Sequence, residues 1–287
     1  MTSTTDATGT DCSPEHRDLP DGIDIADPYA ADPAFVLHQG GKLAIASRVP
    51  IDGPEDLSLA YTPGVGRVSQ AIADDPNRVW TLTGRSNAVA VLSNGTAVLG
   101  LGDIGPEAAM AVMEGKAVLF KQFGGVDAYP VCVDAPTVDE MVAIGKAIAP
   151  TFGGINLEDI KAPECFEIER RLQAELDIPV FHDDQHGTAI VALAALINAA
   201  RVVGKRVEEL RVVIVGTGAA GVAVAELLHD ARVGQDGTGD IIGVDSTGIL
   251  HRDRENLTPT KQWFVEHGNC EDRRGGVREA LQGADVL

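Results

Sequence analysis

The sequence is poor in cysteine and in aromatic residues, and it has no excess of basic residues. Its four cysteines, Cys12, Cys132, Cys165 and Cys270, form no CxxC pair, which excludes a disulfide framework and a zinc-finger spacing. Aromatic residues make up 4% of the 287 residues, whereas glycine occurs 32 times. This balance favours small-residue α/β packing over an aromatic-rich β-sandwich.

Charge and hydropathy exclude two kinds of partner. The net charge of −20 argues against a basic nucleic-acid face and against binding to an anionic membrane surface. No run approaches the roughly 20 apolar residues of a membrane span, and the N-terminus lacks the basic and apolar regions of a secretory signal. We therefore expect a cytoplasmic protein with reduced thiols that binds neither nucleic acid nor membranes.

The patterns along the chain predict three parts. Residues 1–20 are polar and predict a disordered tail. Residues 21–205 alternate helix-like and strand-like segments and predict a three-layer α/β domain. Residues 206–287 run strand, glycine turn, helix, strand and then the first residues of a third strand, which predicts the first half of a Rossmann-type, doubly wound domain. Because such folds normally have two halves, we expect the sequence to be a fragment of a longer chain.

Two segments of the first domain carry specific structural predictions. The run NAVAVLSNGTAVLGLG (87–102) predicts a β-hairpin that turns at Asn94-Gly95. The run GTAIVALAALINAARVVG (187–204) is nearly all apolar and predicts a long, buried helix.

The run VVIVGTGAAG (212–221) fits the dinucleotide-binding pattern G-x-G-x-x-G. Its glycines are Gly216, Gly218 and Gly221. They permit a tight turn, close approach of a pyrophosphate, and close packing of helix on strand. Asp245 ends the next strand, where an acid accepts hydrogen bonds from the ribose of NAD and repels a 2′-phosphate, so NAD is the first choice. Arg252 and Arg254 follow closely and leave NADP open.

Two pairs of acids, Glu158-Asp159 and Asp183-Asp184, follow predicted strands. Ligands gather at the carboxyl ends of such strands, where several carboxylates would repel one another unless a cation lay between them. An all-oxygen set selects Mg²⁺ or Mn²⁺ over zinc. The alternative is that each pair only caps a helix or a turn.

His182 and His186 flank the second acid pair at the i, i+4 spacing of a two-histidine zinc clamp. That clamp requires both residues on one helix face. Here the spacing straddles a junction between strand and helix, so we assign both histidines structural or polar-lining roles.

Six motifs occur in an order that resembles malic enzyme, specifically the short bacterial type. They are LAYTPGVG (59–66), VLGLGDIGPEAAMAVMEGKAVLFKQFGGVDAYPV (98–131), GGINLEDIKAPECFEIE (153–169), FHDDQHGTAIV (181–191), VGTGAAG (215–221) and VDSTGIL (244–250). The resemblance runs from about residue 35 to the end, and the C-terminal part of the family is missing. It implies oxidative decarboxylation of L-malate to pyruvate and CO₂ with NAD or NADP and Mg²⁺ or Mn²⁺, in a homodimer.

The resemblance also implies roles for single residues. Tyr61 is the expected general acid, Lys116 the general base, and Asp183 the partner of Lys116. The expected metal ligands are Glu158, Asp159 and Asp184. A lysine acts as a base only when neutral, so we expect burial or cationic neighbours to lower the pKa of Lys116.

Two departures from the family pattern matter. Ala97 stands where larger members carry an arginine for the substrate carboxylate, so Arg67, Arg85 or asparagines elsewhere must serve. The family's C-terminal asparagine loops, which contact malate and nicotinamide, are also absent, so we expect this chain alone to turn over slowly or not at all. It is open whether Tyr61 acts in its own subunit.

Three alternatives to malic enzyme fit the sequence to different degrees. A malolactic-type decarboxylase releases lactate and keeps its nucleotide bound, and the sequence does not separate it from the first hypothesis. A non-catalytic nucleotide-binding relative would be favoured by loss of Tyr61, Lys116 or the acids, all of which are present. An amino-acid dehydrogenase does not fit YTPGVG or FHDDQHGTA.

Overall fold

The structure is a computed structural model that describes residue 29 and residues 32–98, 100–255 and 257–287. The predicted tail, residues 1–20, lies outside the described residues. Contacts separate the chain into two units, Met1–Ile45 and Ala46–Leu287. The described part of the first unit contains helix α1 (Pro33–His38), whose first turn is capped by the Asp32 carboxylate, 2.8 Å from Ala34 N.

The second unit begins with helices and continues into a four-stranded parallel sheet. Before the sheet come α2 (Pro54–Ala60), α3 (Gly64–Asp74) and α4 (Val79–Leu82). The strands are β1 (Ala88–Ser93), β2 (Asp127–Cys132), β3 (Gly154–Leu157) and β4 (Val180–His182), in the order β2-β1-β3-β4. The helices between them are α5 (Pro106–Gly124), α6 (Val138–Ile148) and α7 (Glu164–Glu175).

The predicted hairpin at residues 87–102 is wrong. Strand β1 is a central strand with parallel partners, β2 on one side and β3 on the other. Asn94 and Gly95 follow β1 and begin a loop in which Val98 and Gly102 form an isolated bridge. Gly95 does take the left-handed conformation expected of a turn glycine, with a φ of 67°, but it bends the chain into a loop and not into a paired strand.

The long apolar helix is confirmed, but its burial is not. Helix α8 (Asp183–Val203) begins four residues earlier than the apolar run, so the two aspartates form its first turn. Its buried residues are Gln185, Ala189, Leu196 and Ala200, whereas Ile190, Val191, Val202 and Val203 are exposed. One face packs against α9, whereas the exposed apolar side chains show that another face is left open by the described residues.

The same helix is, among the described residues, the one long and apolar enough to cross a membrane by length and composition. This is weak evidence, because core helices of soluble proteins pass the same test. The first turn of α8 carries Asp183 and Asp184, and its side packs on α9, as expected of a helix built into an α/β unit.

A second sheet follows residue 205. It contains the parallel pair β5 (Arg211–Val215) and β6 (Asp240–Asp245), with β7 (Gly248–Ile249) antiparallel to β6. Its helices are α9 (Ala219–Asp230), α10 (Pro259–His267) and α11 (Val277–Ala280). Val286 pairs in parallel with Val212, which confirms the start of a third parallel strand.

The position of β5 explains where a ligand can bind in the second sheet. Strand β6 lies on one side of β5, and the segment at Val286 begins to pair on the other side. The strand order therefore reverses at β5, and ligands of doubly wound sheets bind beyond the carboxyl end of the strands at such a point. The two sheets confirm the α/β fold class, and the domain boundary at residue 205 stays a prediction.

Candidate active site

Three carboxylates from two elements meet at the carboxyl edge of the first sheet. Glu158 and Asp159 follow β3, and Asp184 lies in the first turn of α8. Each offers an oxygen atom, and these atoms lie within 4.8 Å of one another. Among the described residues this is the one group of three or more acids, histidines or cysteines close enough to hold a metal ion. The structure thus brings together the three residues predicted as metal ligands.

The backbone around Asp159 is shaped to hold this cluster. Asp159 has a φ of 53°, a left-handed conformation that costs free energy for a residue with a side chain. Its amide donates a hydrogen bond to Asp184 Oδ2 at 2.9 Å, and its carbonyl accepts one from Ala97 N at 3.0 Å. The strained conformation is therefore fixed from both sides, by α8 and by the loop after β1.

Burial disfavours the ionised form of the carboxylates in this cluster. Glu158 and Asp159 are each 4% exposed. Burial raises the pKa of Glu158 to about 7; Lys116 opposes the shift and the charge of Asp184 adds to it. Burial and then the charge of Asp184 raise the pKa of Asp159 to about 6. A cation between these carboxylates would relieve both penalties.

The donor set fits a hard divalent cation. Asp159 Oδ2 is buried and has no hydrogen-bond partner among the described residues, although a buried polar atom normally has one. The three side chains offer only oxygen, which suits Mg²⁺ or Mn²⁺ better than zinc. Asn156 Nδ2 donates to Glu158 Oε2 at 2.9 Å and orients that carboxylate.

Lys116, on α5, reaches the edge of the cluster. Its Nζ atom lies 3.0 Å from Glu158 Oε1 and also contacts the Asp183 carboxylate directly. The structure therefore pairs Lys116 with Asp183, as the resemblance implied. Burial favours a lower pKa for Lys116, but the hydrogen bond with Asp183 and the charge of Glu158 outweigh it and raise the pKa above its ordinary value. The expectation of a lowered pKa is therefore wrong for this arrangement of charges.

The two histidines do not form a clamp. His182 is the last residue of β4 and is fully buried, whereas His186 lies in the first turns of α8. The His186 ring pairs with Glu169 Oε2 at 2.9 Å, away from the acid cluster. His182 Nε2 lies 3.7 Å from Asp184 Oδ2, beyond hydrogen-bond distance.

Glu169 was missed by the sequence analysis. Its carboxylate accepts hydrogen bonds from His182 N at 2.8 Å and pairs with the His186 ring, so it ties the end of β4 to the start of α8. That junction carries Asp183 and Asp184. The available signal was an acid on the buried face of α7, whose other buried residues are Cys165, Ile168 and Leu172.

Tyr61 is not brought to the cluster. It lies between α2 and α3, is 67% exposed, and its hydroxyl makes no hydrogen bond to the described residues. Arg85 is also excluded as a substrate cation, because its guanidinium binds Phe152 O at 3.1 Å and stacks on Trp80 at the amino ends of the strands. Arg67 is exposed on α3 and stays a candidate.

The glycine turn between β5 and α9 has the geometry that its spacing predicts. Gly216 has a φ of 101°. A Cβ at Gly221 would lie 1.9 Å from Gly216 O, so only glycine lets the helix pack this close to the turn. A Cβ at Gly218 would meet nothing within 4 Å, which leaves open space in front of the amino end of α9.

The turn also fits a pyrophosphate by its polar groups. Thr217 is 7% exposed, and its Oγ1 atom is buried without a hydrogen-bond partner among the described residues. The first amides of α9 lie at a helix N-terminus, where anions bind favourably. An unpartnered hydroxyl beside open space and a helix N-terminus is a suitable environment for phosphate oxygens.

Asp245 ends β6 as predicted, but its carboxylate is not free. Arg254 binds it through two nitrogens, at 2.9 and 3.0 Å, and Lys261 Nζ lies 2.8 Å from Oδ2. Thr247 adds its amide at 2.9 Å and its hydroxyl at 2.8 Å. The hydrogen bonds with Arg254 hold the pKa of Asp245 far below its ordinary range. The role of Lys261 was missed, because it comes from a separate helix.

Fold and site together define a class: an α/β protein that joins a cluster of buried carboxylates to a glycine turn of the dinucleotide-binding type. The model of the malic enzyme N-terminal domain matches residues 41–138 and 135–173. The model of the malic enzyme NAD binding domain matches residues 185–282. The chain belongs to the malic enzyme family, as its motifs predicted.

Individual relatives agree with this assignment. The chain is 54% identical to an NAD-dependent malic enzyme of Geobacillus stearothermophilus over 90% of its own length and 53% of the relative. It is 49% identical to a bifunctional malic/malolactic enzyme of Bacillus subtilis, over 88% and 62%. A crystal structure of an NAD-dependent malic enzyme from Thermotoga maritima matches with a TM-score of 0.84 and 44% identity, over 88% of this chain and 67% of that one. The chain thus spans between about half and three fifths of the length of the two curated relatives.

Proposed function

We propose that this chain supplies the metal-binding and nucleotide-binding parts of an enzyme that oxidatively decarboxylates L-malate to pyruvate and CO₂, with reduction of NAD or NADP. The observation that carries the proposal is the meeting of Glu158, Asp159 and Asp184 within 4.8 Å, with Lys116 in contact with Glu158. A cation site beside a candidate base would meet what removal of a hydride and a hydroxyl proton from malate requires, and this supports the proposal.

Glu158, Asp159 and Asp184 are the residues that would hold the ion. A Mg²⁺ or Mn²⁺ ion held there would supply a Lewis acid for the oxidation of malate and for the loss of CO₂. Asn156 orients Glu158 through its amide, and the Asp159 amide holds Asp184 beside it through a hydrogen bond to Asp184 Oδ2.

Lys116 is proposed to take the proton of the malate C2 hydroxyl. It does so only when neutral, so in the working complex the ion pairs of Lys116 with both Glu158 and Asp183 must weaken before proton uptake. Asp183 then keeps the ammonium group positioned after proton uptake. Tyr61 is proposed to protonate C3 of the enolate, which requires its exposed hydroxyl to reach the cluster from its own subunit or from a second copy.

The glycine turn is proposed to bind the pyrophosphate of the nucleotide. Gly218 leaves the space, Thr217 offers an unpartnered hydroxyl, and the N-terminus of α9 offers amides. A nucleotide held at this turn would supply the acceptor for the C2 hydride of malate, while Lys116 takes the hydroxyl proton.

The test uses the protein that carries this sequence with L-malate and Mn²⁺, with NAD and NADP in parallel. Reduced nicotinamide and pyruvate should form together in equal amounts, and D-malate should give neither. Lys116→Met should remove both products. Lys121→Met changes another lysine of α5 and breaks its exposed pair with Asp127 of β2, and it should leave both products in place. Normal turnover by Lys116→Met would refute the proposed base.

A second candidate is malolactic decarboxylation, which the similarity to the bifunctional malic/malolactic enzyme favours. It differs in its product: lactate would accumulate without net reduction of the nucleotide. Measuring lactate beside pyruvate in the same assay separates the two reactions.

The cytoplasmic location and the homodimer are also proposals. The net charge of −20 supports a soluble protein without nucleic-acid partners. The exposed apolar side chains of α8, among them Ile190, Val191 and Val203, support burial against a second copy. Sedimentation analysis of the protein that carries this sequence tests the dimer, and a monomer over the whole concentration range would contradict it.

A further inference from the structure

Gly187 lies in the interior of helix α8, directly against the carboxylate of Asp183. A Cβ atom at Gly187 would lie 3.2 Å from Asp183 Cγ and closer still to Oδ1. Outside the helix backbone, the three nearest atoms that it would meet all belong to this carboxylate. The reason is helical geometry, because residues four apart share a face and each Cβ leans towards the N-terminus. The Asp183 carboxylate therefore fills the space that a side chain at position 187 would need.

The same carboxylate holds Lys116. Its Oδ2 atom contacts the Lys116 ammonium group, whereas its Oδ1 atom is the one nearest to the space at Gly187. The ammonium group also lies 3.0 Å from Glu158 Oε1. Lys116 is thus held by two carboxylates, and a turn of the Asp183 side chain away from Gly187 would withdraw one of them.

The backbone at the start of α8 is held on both sides of its first turn. The Glu169 carboxylate accepts a hydrogen bond from His182 N at 2.8 Å and pairs with the His186 ring at 2.9 Å. Glu169 is 5% exposed, so these two contacts fasten the turn to the buried face of α7. The Asp183 side chain is 31% exposed and has solvent into which it can turn. A methyl group at position 187 would therefore be accommodated by rotation of Asp183 and not by a shift of the helix.

We propose that Gly187 is a positioning residue for the reaction: because it has no side chain, Asp183 can lie where it keeps Lys116 at the place of proton uptake. The inference rests on the proposed role of Lys116 as the base. Gly187 acts through Asp183 and does no chemistry itself. Glycine in a helix interior is less stable than alanine, so the chain gives up helix stability at the position where a methyl group would displace this carboxylate.

The variant Gly187→Ala tests the inference in the protein that carries this sequence. The kcat for L-malate should fall by roughly tenfold to hundredfold, as misplacement of a catalytic group does. Mn²⁺ affinity should stay unchanged, because the methyl group meets Asp183 and not the metal ligand Asp184. The melting temperature should fall by no more than about 2 °C, since the gain in helix propensity offsets the weakened ion pair. Gly124→Ala adds the same methyl group at the end of α5, in ordinary contact with Val126 at 3.7 Å, and should change none of these quantities.

A second background separates this role from a merely structural one. In Asp183→Ala the carboxylate is gone, so the further change Gly187→Ala should cost no more turnover and should raise the melting temperature by about 2 °C. Wild-type turnover by Gly187→Ala, loss of its Mn²⁺ binding, or an equal change of melting temperature in both backgrounds would overturn the inference alone. A wild type that forms neither pyruvate nor reduced nicotinamide would overturn the proposed function instead.

Discussion

The Nζ atom of Lys116 lies 3.0 Å from Glu158 Oε1, so a candidate base is paired with a candidate metal ligand. Asp183 contacts the same ammonium group from α8. A charged lysine repels a divalent cation, whereas a neutral one accepts a proton. Proton transfer by Lys116 and metal binding by Glu158 are therefore coupled through one ion pair.

Lys116→Met separates the two roles. The substitution removes the positive charge beside Glu158, so Mn²⁺ should bind at least as tightly as in the wild type. Malate turnover should fall by roughly 10²–10⁴-fold, the usual contribution of a general base. Lys121→Met is the matched control on α5 and should leave both quantities unchanged. Loss of Mn²⁺ binding in Lys116→Met would instead show that the lysine holds the site together.

Metal affinity should depend on pH through two carboxylates. The pKa values of Glu158 and Asp159 are raised to about 7 and about 6. Above both values no proton competes with the ion, and as the pH falls through each value one more proton must be displaced. The affinity for Mn²⁺ should therefore fall by up to about tenfold per pH unit between pH 7 and 6, and more steeply below.

The same shifts affect the metal-free protein. An acid whose pKa is raised on folding opposes folding once it ionises, so its penalty grows as the pH rises from its unfolded value towards its folded value. Mn²⁺ should therefore raise the melting temperature more at about pH 8 than at about pH 6. A Mn²⁺ affinity that stayed constant over this range would contradict the assignment of Glu158 and Asp159.

Of two glycine substitutions in the β5–α9 turn, one should weaken ligand binding and the other should destabilise the fold. The Cβ atom added by Gly218→Ala meets nothing within 4 Å, so the melting temperature should stay unchanged. Binding of ADP should weaken, because the methyl group occupies the proposed pyrophosphate space. Gly221→Ala places a Cβ 1.9 Å from Gly216 O and should destabilise the fold by about 1–3 kcal/mol. Thermal unfolding together with calorimetry distinguishes them, and equal stability losses would disprove the open space at Gly218.

Glu169 should prove important for stability. Glu169→Ala leaves the buried His182 amide without its acceptor, which costs about 1–3 kcal/mol. Glu169→Gln keeps an acceptor and should recover part of this loss. Urea unfolding measures both, with Glu167→Ala as the control, since its ion pair with Arg170 is exposed and contributes little. A loss in the control as large as in Glu169→Ala would show that the effect is not specific to the β4–α8 junction.

The parts of the site that follow directly after strands were predictable from the sequence. Glu158, Asp159 and Asp184 converge because parallel strands place their carboxyl ends at one edge of the sheet. The shape of the glycine turn was predictable because the spacing of its glycines dictates its geometry. Lys116 and its pairing with Asp183 came from the resemblance, since a helix lysine alone does not reveal its partner.

The rest depended on contacts between distant residues. Strand β1 pairs with β2 and β3, which lie far along the chain, so the local Asn94-Gly95 signal predicted the wrong partner. The nearly all-apolar sequence of helix α8 predicted burial on every side, yet one face is exposed. The apolar pattern of a helix does not show how many neighbours pack against it. The pairing of Asp245 with Lys261 could not be predicted either, since Lys261 reaches the carboxylate from α10.

The central claim is that Glu158, Asp159 and Asp184 bind one divalent cation. A Mn²⁺ titration followed by electron paramagnetic resonance tests it in the wild type and in two variants, Asp184→Asn and His182→Asn. The wild type should bind one Mn²⁺, Asp184→Asn should lose roughly hundredfold or more in affinity, and His182→Asn should retain binding. Removal of Mn²⁺ binding by His182→Asn, with binding intact in Asp184→Asn, would contradict the account.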